Sequence, residues 1–121
     1  MKRAFWILVV AIVATNCEYD VAEELYPPNG CNTDNVSYSQ DIVPIIDTNC
    51  YRCHSEENSG LGAGIVLEGY DKIEGIATNG TLLGVIRHEG GFTAMPLDAS
   101  KIDDCSINKI EAWIADGAQD N

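Results

Sequence analysis

Two cysteines and a histidine stand together near the middle of the chain, in the sequence Cys50-Tyr51-Arg52-Cys53-His54. On a helical turn, residues three apart lie on one face, so both thiols of this C-x-x-C-H motif can bond to the same group. The spacing is typical of c-type haem attachment, in which two thioethers join the sulfurs to the porphyrin and the histidine binds the iron. We therefore expect Cys50 and Cys53 to carry one covalent haem c, with His54 as its proximal ligand.

Three other uses of the motif have to be weighed. A thioredoxin-like redox pair requires a βαβ setting, and no such pattern surrounds these cysteines. A zinc site requires a second pair of ligands, and the other histidine of the chain is His88. A structural disulfide within the motif leaves His54 without a role. Haem attachment accounts for all three residues.

A haem iron bound by one histidine needs a sixth ligand or keeps an open site. Apart from the initiator, the chain has one methionine, Met95, in a glycine-containing loop directly before Pro96. The proline restricts the backbone of the residue that precedes it. We predict Met95 as the distal iron ligand, because a histidine–methionine pair is a common electron-transfer ligation. His88, seven residues earlier, is the alternative ligand.

Residues 1–16 are typical of a signal peptide. A positively charged start is followed by an unbroken apolar run over residues 4–14, which is shorter than the ~20 residues that span a bilayer. Cys17 follows in a stretch that resembles the lipobox of bacterial lipoproteins, so we predict that Cys17 is acylated and becomes the mature N-terminus. Cleavage near Ala14 by the ordinary signal peptidase, with Cys17 left as a free thiol, is the alternative.

The composition is strongly acidic, with 19 Asp and Glu residues against 7 Lys and Arg residues and a net charge of −12. Such a surface repels phosphate, so nucleic acid is not an expected partner. Residues 17–30 contain four carboxylates and no basic side chain, and they end in Pro-Pro-Asn-Gly. This pattern predicts a lipid-anchored acidic tether, followed by one domain over residues 31–121.

Short helices are expected to position the chemical residues. Before the motif, an N-capping stretch, Ser39-Gln40-Asp41, precedes apolar residues at helical spacing. These are Ile42, Ile45 and Ile46, with Pro44 in the first turn. Near the end of the chain, a second apolar stripe predicts a helix with its N-cap at Ser106 and its stop at Gly117. The stripe consists of Ile107, Ile110, Trp113 and Ile114.

The segment between these two helices is predicted to hold a loop and two more short helices. Residues 60–69 are interpreted as the loop, and residues 70–77 and 81–87 as helices separated by Asn79-Gly80. No run with a convincing alternating strand pattern occurs, so the fold class is expected to be all-α.

The chain resembles the small monohaem cytochromes c of class I type, and more narrowly the exported cytochrome c lipoproteins of bacteria. The matching stretches are residues 17–28, 31–54 and 62–70, the Met95-Pro96 pair and the final helix, of which C-x-x-C-H and Met-Pro are individually specific. Leu97 is a departure, since the common pattern has a second proline there. The resemblance implies a cytochrome c-like fold of three to five short helices wrapped around one covalent haem.

The remaining cysteines are then accounted for. If Cys17 carries lipid and the C-x-x-C-H pair carries haem, Cys31 and Cys105 remain, in an oxidising compartment. We predict that they form a disulfide that joins the two ends of the domain. Two unrelated buried thiols are the alternative.

The expected function is electron transfer by an exported, membrane-anchored lipoprotein in the periplasm or at the cell surface, without enzymatic activity. Residues 31–121 have a net charge of −10, so redox partners should present basic surfaces, and membrane contact should be through the lipid alone. The alternatives are a haem peroxidase or gas-binding haem protein with an open sixth site, and a non-haem structural or interaction lipoprotein. Three basic residues could approach the haem propionates: Arg52, Arg87 and Lys101.

Overall fold

A computed structural model describes residues 30–121, in which Cys31–Asn121 forms one compact unit. The predicted signal peptide (1–16), Cys17 and the acidic tether up to residue 29 lie outside the described residues. Every regular element in residues 30–121 is helical and no strand occurs there, which confirms the all-α class. None of the helices in this part of the chain is long and apolar enough to cross a membrane.

Five α-helices follow one another, and the first continues directly from a π-helical segment. The segment is Tyr38–Ile42, and the helices are α1 (Val43–Asn49), α2 (Tyr51–His54), α3 (Tyr70–Thr78), α4 (Thr81–Ile86) and α5 (Asp104–Ala115). The wider π-helical turn ends two residues before Pro44, which cannot donate an N–H to the helix. Helices α1 and α2 are separated by Cys50 alone, so α1 leads straight into the C-x-x-C-H motif.

Both predicted N-caps are wrong by two or three residues. The first cap is Ser37, whose hydroxyl accepts the N–H of Gln40, while Asp41 accepts the N–H of Ser37 in return. The cap of α5 is Asp103, whose carboxylate accepts both the N–H and the hydroxyl of Ser106. The Asp103 carboxylate also lies at the positive end of the α5 dipole, where a negative charge is stabilising.

The predicted end of α5 at Gly117 is confirmed. This residue has a φ of +95°, its N–H donates to the carbonyl of Ile114, and the next N–H, of Ala118, donates to the carbonyl of Trp113. The two bonds form a Schellman motif, whose left-handed residue is usually glycine because a Cβ is disfavoured there. The predicted helices over 70–77 and 81–87 lie within one residue of α3 and α4, and residues 60–69 are a loop as expected.

The core joins α5 to the π-helical segment through three aromatic rings. The ring of Trp113, which is 1% exposed, stacks on Tyr38 with centroids 5.7 Å apart, and Tyr70 meets Tyr38 edge-on at 5.3 Å. The polar atoms are satisfied, since the Trp113 indole N–H donates to the carbonyl of Gln119 and the Tyr70 hydroxyl donates to that of Ala118. The other large side chains of this core are Ile42, Ile46, Ile73, Leu82 and Ile110.

Two further links tie the start of the described domain to α5. Cys31 and Cys105 form a disulfide, with Cα atoms 5.5 Å apart and a sequence separation of 74. This is the pairing that the cysteine count predicts. The Lys109 ammonium lies 2.7 Å from a carboxylate oxygen of Asp41, in an ion pair in which both side chains are less than one-third exposed. Ring packing and this ion pair therefore hold the π-helical segment against α5, and the disulfide joins residue 31 covalently to the same helix.

Candidate functional site

Helix α2 places the C-x-x-C-H motif on a single turn. The N–H groups of Cys53 and His54 both donate to the carbonyl of Cys50, at 3.1 and 2.9 Å. The two thiols are half-buried and are not joined to each other, and the imidazole is half-buried as well. The structure thus brings the two predicted attachment sulfurs and the predicted proximal ligand together on one turn.

The orientation of the His54 ring is set by the loop that follows α2. Its Nδ1 atom lies 2.9 Å from the carbonyl oxygen of Ile65. A carbonyl oxygen only accepts, so Nδ1 must carry the hydrogen, and Nε2 is left with the lone pair in the neutral ring. The carbonyl of His54 in turn accepts the N–H of Leu67 at 2.8 Å. Metal-binding histidines are oriented in this way, with the nitrogen away from the metal bonded to a carbonyl or carboxylate.

Gly62 packs directly against this ring. A Cβ atom at Gly62 would lie 2.5 Å from the backbone oxygen of Cys53 and 2.5 Å from Nδ1 of His54. The loop can therefore close over this edge of the imidazole only where it has no side chain. Sequence reasoning missed this role, although a cluster of three glycines at positions 60, 62 and 64 is a signal of close backbone approach.

The Cys50 thiol does not suit disulfide exchange. Burial raises the pKa of this thiol to about 11, whereas a redox-active cysteine needs a lowered pKa in order to attack as a thiolate. This finding disfavours the thioredoxin-like reading of the motif. Residues 30–121 contain no group of three or more His, Cys, Asp or Glu side chains placed to hold a metal ion.

The loop that carries Met95 is anchored to the end of α4. The Met95 N–H donates to the carbonyl of Val85 at 2.9 Å, and the Met95 carbonyl lies 3.0 Å from Nε2 of His88. The ring of Phe92, in the same loop, lies so close to α4 that a Cβ atom at Gly84 would be 2.6 Å from it. Three contacts therefore fix the backbone around the predicted distal ligand.

The exposed large apolar side chains of the described domain occur on two loops. Leu61 and Ile65 belong to the loop that closes over His54, and Phe92 and Leu97 belong to the loop that carries Met95. Their exposed fractions range from 43% to 74%. Both loops therefore expose apolar side chains close in sequence to the backbone groups that bond to His54 and Met95.

The residues between the two motif cysteines line a polar cleft. Tyr51 and Arg52 line an open polar cleft of about 560 Å³ together with Ser55 and Asn58. Four carboxylates complete the lining: Asp47, Glu56, Glu57 and Glu68. The guanidinium of Arg52 therefore lies in an acidic environment.

The other two candidate propionate partners form ion pairs within the protein. Arg87 pairs with Glu111 of α5, which raises the pKa of the guanidinium further above its usual range. Lys101 lies 2.7 Å from a carboxylate oxygen of Asp104 at the start of the same helix. Both cations therefore link the Met95-bearing loop region to α5.

No family model, curated protein or solved structure gives a significant match to the chain.

Proposed function

We propose that the chain is an electron carrier of cytochrome c type, in which Cys50 and Cys53 would hold one covalent haem c and His54 and Met95 would supply the iron ligands. The observation that carries this proposal is the hydrogen bond from Nδ1 of His54 to the carbonyl of Ile65, which leaves Nε2 as the free ligand atom. When attached, such a haem supplies reversible one-electron chemistry between ferrous and ferric iron. The protein would supply the attachment, the orientation and the two iron ligands.

The residues present fit this group in three respects. The two thiols lie on one helical turn, as two thioethers to one porphyrin require. The histidine directly after them is held by Gly62 and Ile65 in one orientation and one tautomer. Apolar side chains on both flanking loops would pack well against a porphyrin face. A cytochrome c-like arrangement of the five helices around the haem is part of the proposal.

Met95 is a better candidate than His88 for the sixth ligand. The Nε2 atom of His88, which most easily reaches a metal, is engaged with the Met95 carbonyl at 3.0 Å. The thioether of Met95 needs no proton to be lost and raises the reduction potential relative to a second imidazole. A His54/Met95 pair is therefore the proposed ligation.

The proposal includes export and a membrane anchor. Signal-like residues 1–16, acylation of Cys17 and the acidic tether would hold the domain at a membrane surface, in the periplasm or outside the cell. The Cys31–Cys105 disulfide supports an oxidising compartment. With a net charge of −10 on residues 31–121, the partners are proposed to be redox proteins with basic surfaces.

The full chain, produced together with cytochrome c maturation machinery, provides the test. We expect intact mass to show one covalent haem and acylation at Cys17, and the visible spectrum to show low-spin haem with a methionine-to-iron charge-transfer band. Replacing Cys50 and Cys53 with alanine should abolish covalent haem. The double variant Cys31→Ser/Cys105→Ser removes the same number of cysteines and should keep the haem, which makes it the matched control.

Two results would overturn the proposal. A high-spin ferric protein that binds added ligands without displacing a methionine would indicate a peroxidase or gas-binding haem protein with an open sixth site. A negative pyridine haemochrome assay on protein matured in this way would indicate a non-haem structural or interaction lipoprotein.

A further inference from the structure

We infer that His88 is a positioning residue for the distal ligand, and that it acts by holding the backbone of Met95 rather than by binding iron. The inference rests on the proposed His54/Met95 ligation. It assigns a role to His88, the one histidine of the chain that lies outside the C-x-x-C-H motif.

The first observation is that both polar backbone atoms of Met95 are bound to the end of α4. The Met95 carbonyl lies 3.0 Å from Nε2 of His88, and because a carbonyl only accepts, the imidazole is the donor. The Met95 N–H donates to the carbonyl of Val85 at 2.9 Å. With both peptide groups of Met95 tied to α4, the direction of its Cα–Cβ bond is fixed, and so is the region that its thioether can reach.

The second observation is the backbone conformation of His88. Its φ is +57°, and it occupies the left-handed position of a Schellman motif that ends α4. The N–H of His88 donates to the carbonyl of Val85, and the N–H of Glu89 donates to that of Gly84. At the equivalent position of α5 the chain has Gly117, with a φ of +95°.

Glycine is therefore the expected residue at position 88, and a histidine there is strained relative to it. The backbone conformation favours glycine, so the presence of histidine at position 88 must be accounted for by a contact of its side chain. The contact observed is the hydrogen bond to Met95. His88 thus disfavours the left-handed end of α4, but its imidazole holds the loop that carries Met95.

The test compares two variants of the full-length holoprotein. His88→Gly removes the imidazole and suits the left-handed backbone, so α4 and its end should stay folded. His88→Gln keeps an N–H donor at a similar distance from the backbone. The readouts are the methionine-to-iron charge-transfer band and the affinity of the ferric protein for added imidazole, which binds only after Met95 has left the iron.

His88→Gly removes one hydrogen bond from the state in which Met95 binds the iron. The apparent affinity of this variant for imidazole should therefore rise about two- to tenfold. The charge-transfer band should weaken in the same variant, while His88→Gln stays closer to the wild type in both readouts. Asp98→Gly, at another left-handed position in the Met95 loop (φ +56°), is the control for added glycine and should keep the wild-type affinity.

An unchanged band and an unchanged imidazole affinity in His88→Gly would overturn the inference. Equal increases in the Gly and Gln variants would also overturn it, because the donor would then not matter. A wild-type holoprotein without the charge-transfer band would instead overturn the Met95 ligation on which the inference rests, so the two failures are distinguishable.

Discussion

The imidazole of His54 donates its Nδ1 hydrogen to the carbonyl of Ile65, 2.9 Å away and eleven residues later in the chain. The loop between them turns back so that Leu67 also bonds the His54 carbonyl, and Gly62 lies against the ring. The direction of the predicted iron ligand is therefore set by this loop as well as by α2. If His54 binds the haem iron as proposed, changes in this loop should alter the haem spectrum through the orientation of the imidazole.

Gly62→Ala should destabilise the protein by about 1–3 kcal/mol, the usual cost of overpacking. The added Cβ would lie 2.5 Å from the backbone oxygen of Cys53, which cannot move aside without unwinding α2. The His54 ring would have to turn, so the haem spectrum should change along with the unfolding temperature. Gly60→Ala is the matched control, because its Cβ would meet nothing within 4 Å. Equal stability of the two variants would contradict this account.

Glycine to alanine changes in α3 and α4 should have opposite outcomes. At Gly75 an added Cβ meets nothing within 4 Å, so Gly75→Ala should raise the free energy of unfolding by about 0.5–1 kcal/mol through helix propensity. At Gly84 the Cβ would lie 2.6 Å from the Phe92 ring. That ring must swing out and disturb the Met95 loop, so Gly84→Ala should lower the free energy of unfolding by about 1–3 kcal/mol, the usual cost of overpacking. Urea unfolding of both variants measures the difference, and equal gains would show that Phe92 does not pack as described.

The elements were predictable wherever a local pattern determines them. The helix over 70–77, the loop over 60–69 and the stop at Gly117 follow from glycine positions and apolar spacing. The N-caps were not predictable, because several residues that can cap stand within a few positions of one another. Asp41 accepts an N–H from Ser37 and an ammonium hydrogen from Lys109, 68 residues away, and this second partner is invisible in local sequence.

The predicted haem-binding residues of the candidate site could be identified from the sequence, but the groups that orient them could not. Cys50, Cys53 and His54 stand out because of their side chains. The carbonyl of Ile65 does not, since every residue has a carbonyl and only the folded loop selects one. In the same way, the residue type alone made His88 an alternative iron ligand, whereas in the structure its Nε2 atom is bonded to the backbone oxygen of Met95.

Removal of the disulfide by Cys31→Ser/Cys105→Ser should lower the free energy of unfolding by about 2–5 kcal/mol. The bond closes a loop across a sequence separation of 74, and a loop of that length has a chain-entropy value of about 4.5 kcal/mol. Denaturant unfolding with and without a reductant checks this. The wild type should lose stability on reduction, while the double variant should be insensitive to reductant; a wild type that is equally stable in both conditions would argue against the bond.

The Asp41–Lys109 pair predicts a specific loss of stability in acid. The hydrogen bond from Lys109 is the largest cause that lowers the pKa of Asp41 below 3.8, with a second contribution from the Ser37 N–H. A carboxyl with a lowered pKa in the folded state stabilises the fold above pH 3.8 and loses that contribution as the pH falls through the lowered value.

Asp41→Asn should therefore reduce the free energy of unfolding by about 1 kcal/mol at neutral pH, and the difference from the wild type should shrink below pH 3.8. Asp104→Asn is the control, because the Asp104–Lys101 pair is much more exposed, with side-chain exposures of 80% and 44%. Unfolding curves across the acid range measure both variants. A constant difference down to the lowest pH would show that the charge of Asp41 is not responsible.

The acidic surface predicts the sign of the salt dependence of electron exchange. Residues 31–121 have a net charge of −10, and Glu56 and Glu57 follow His54 by two and three positions. Reduction of the holoprotein by a cationic metal complex should slow as ionic strength rises from about 0.01 to 0.15 M, while the rate with an anionic complex should increase. Stopped-flow measurement with both complexes checks this. Glu56→Gln/Glu57→Gln should weaken both salt dependences, because it removes two negative charges close to α2. Identical salt dependences in the variant and the wild type would place the site of electron exchange away from this surface.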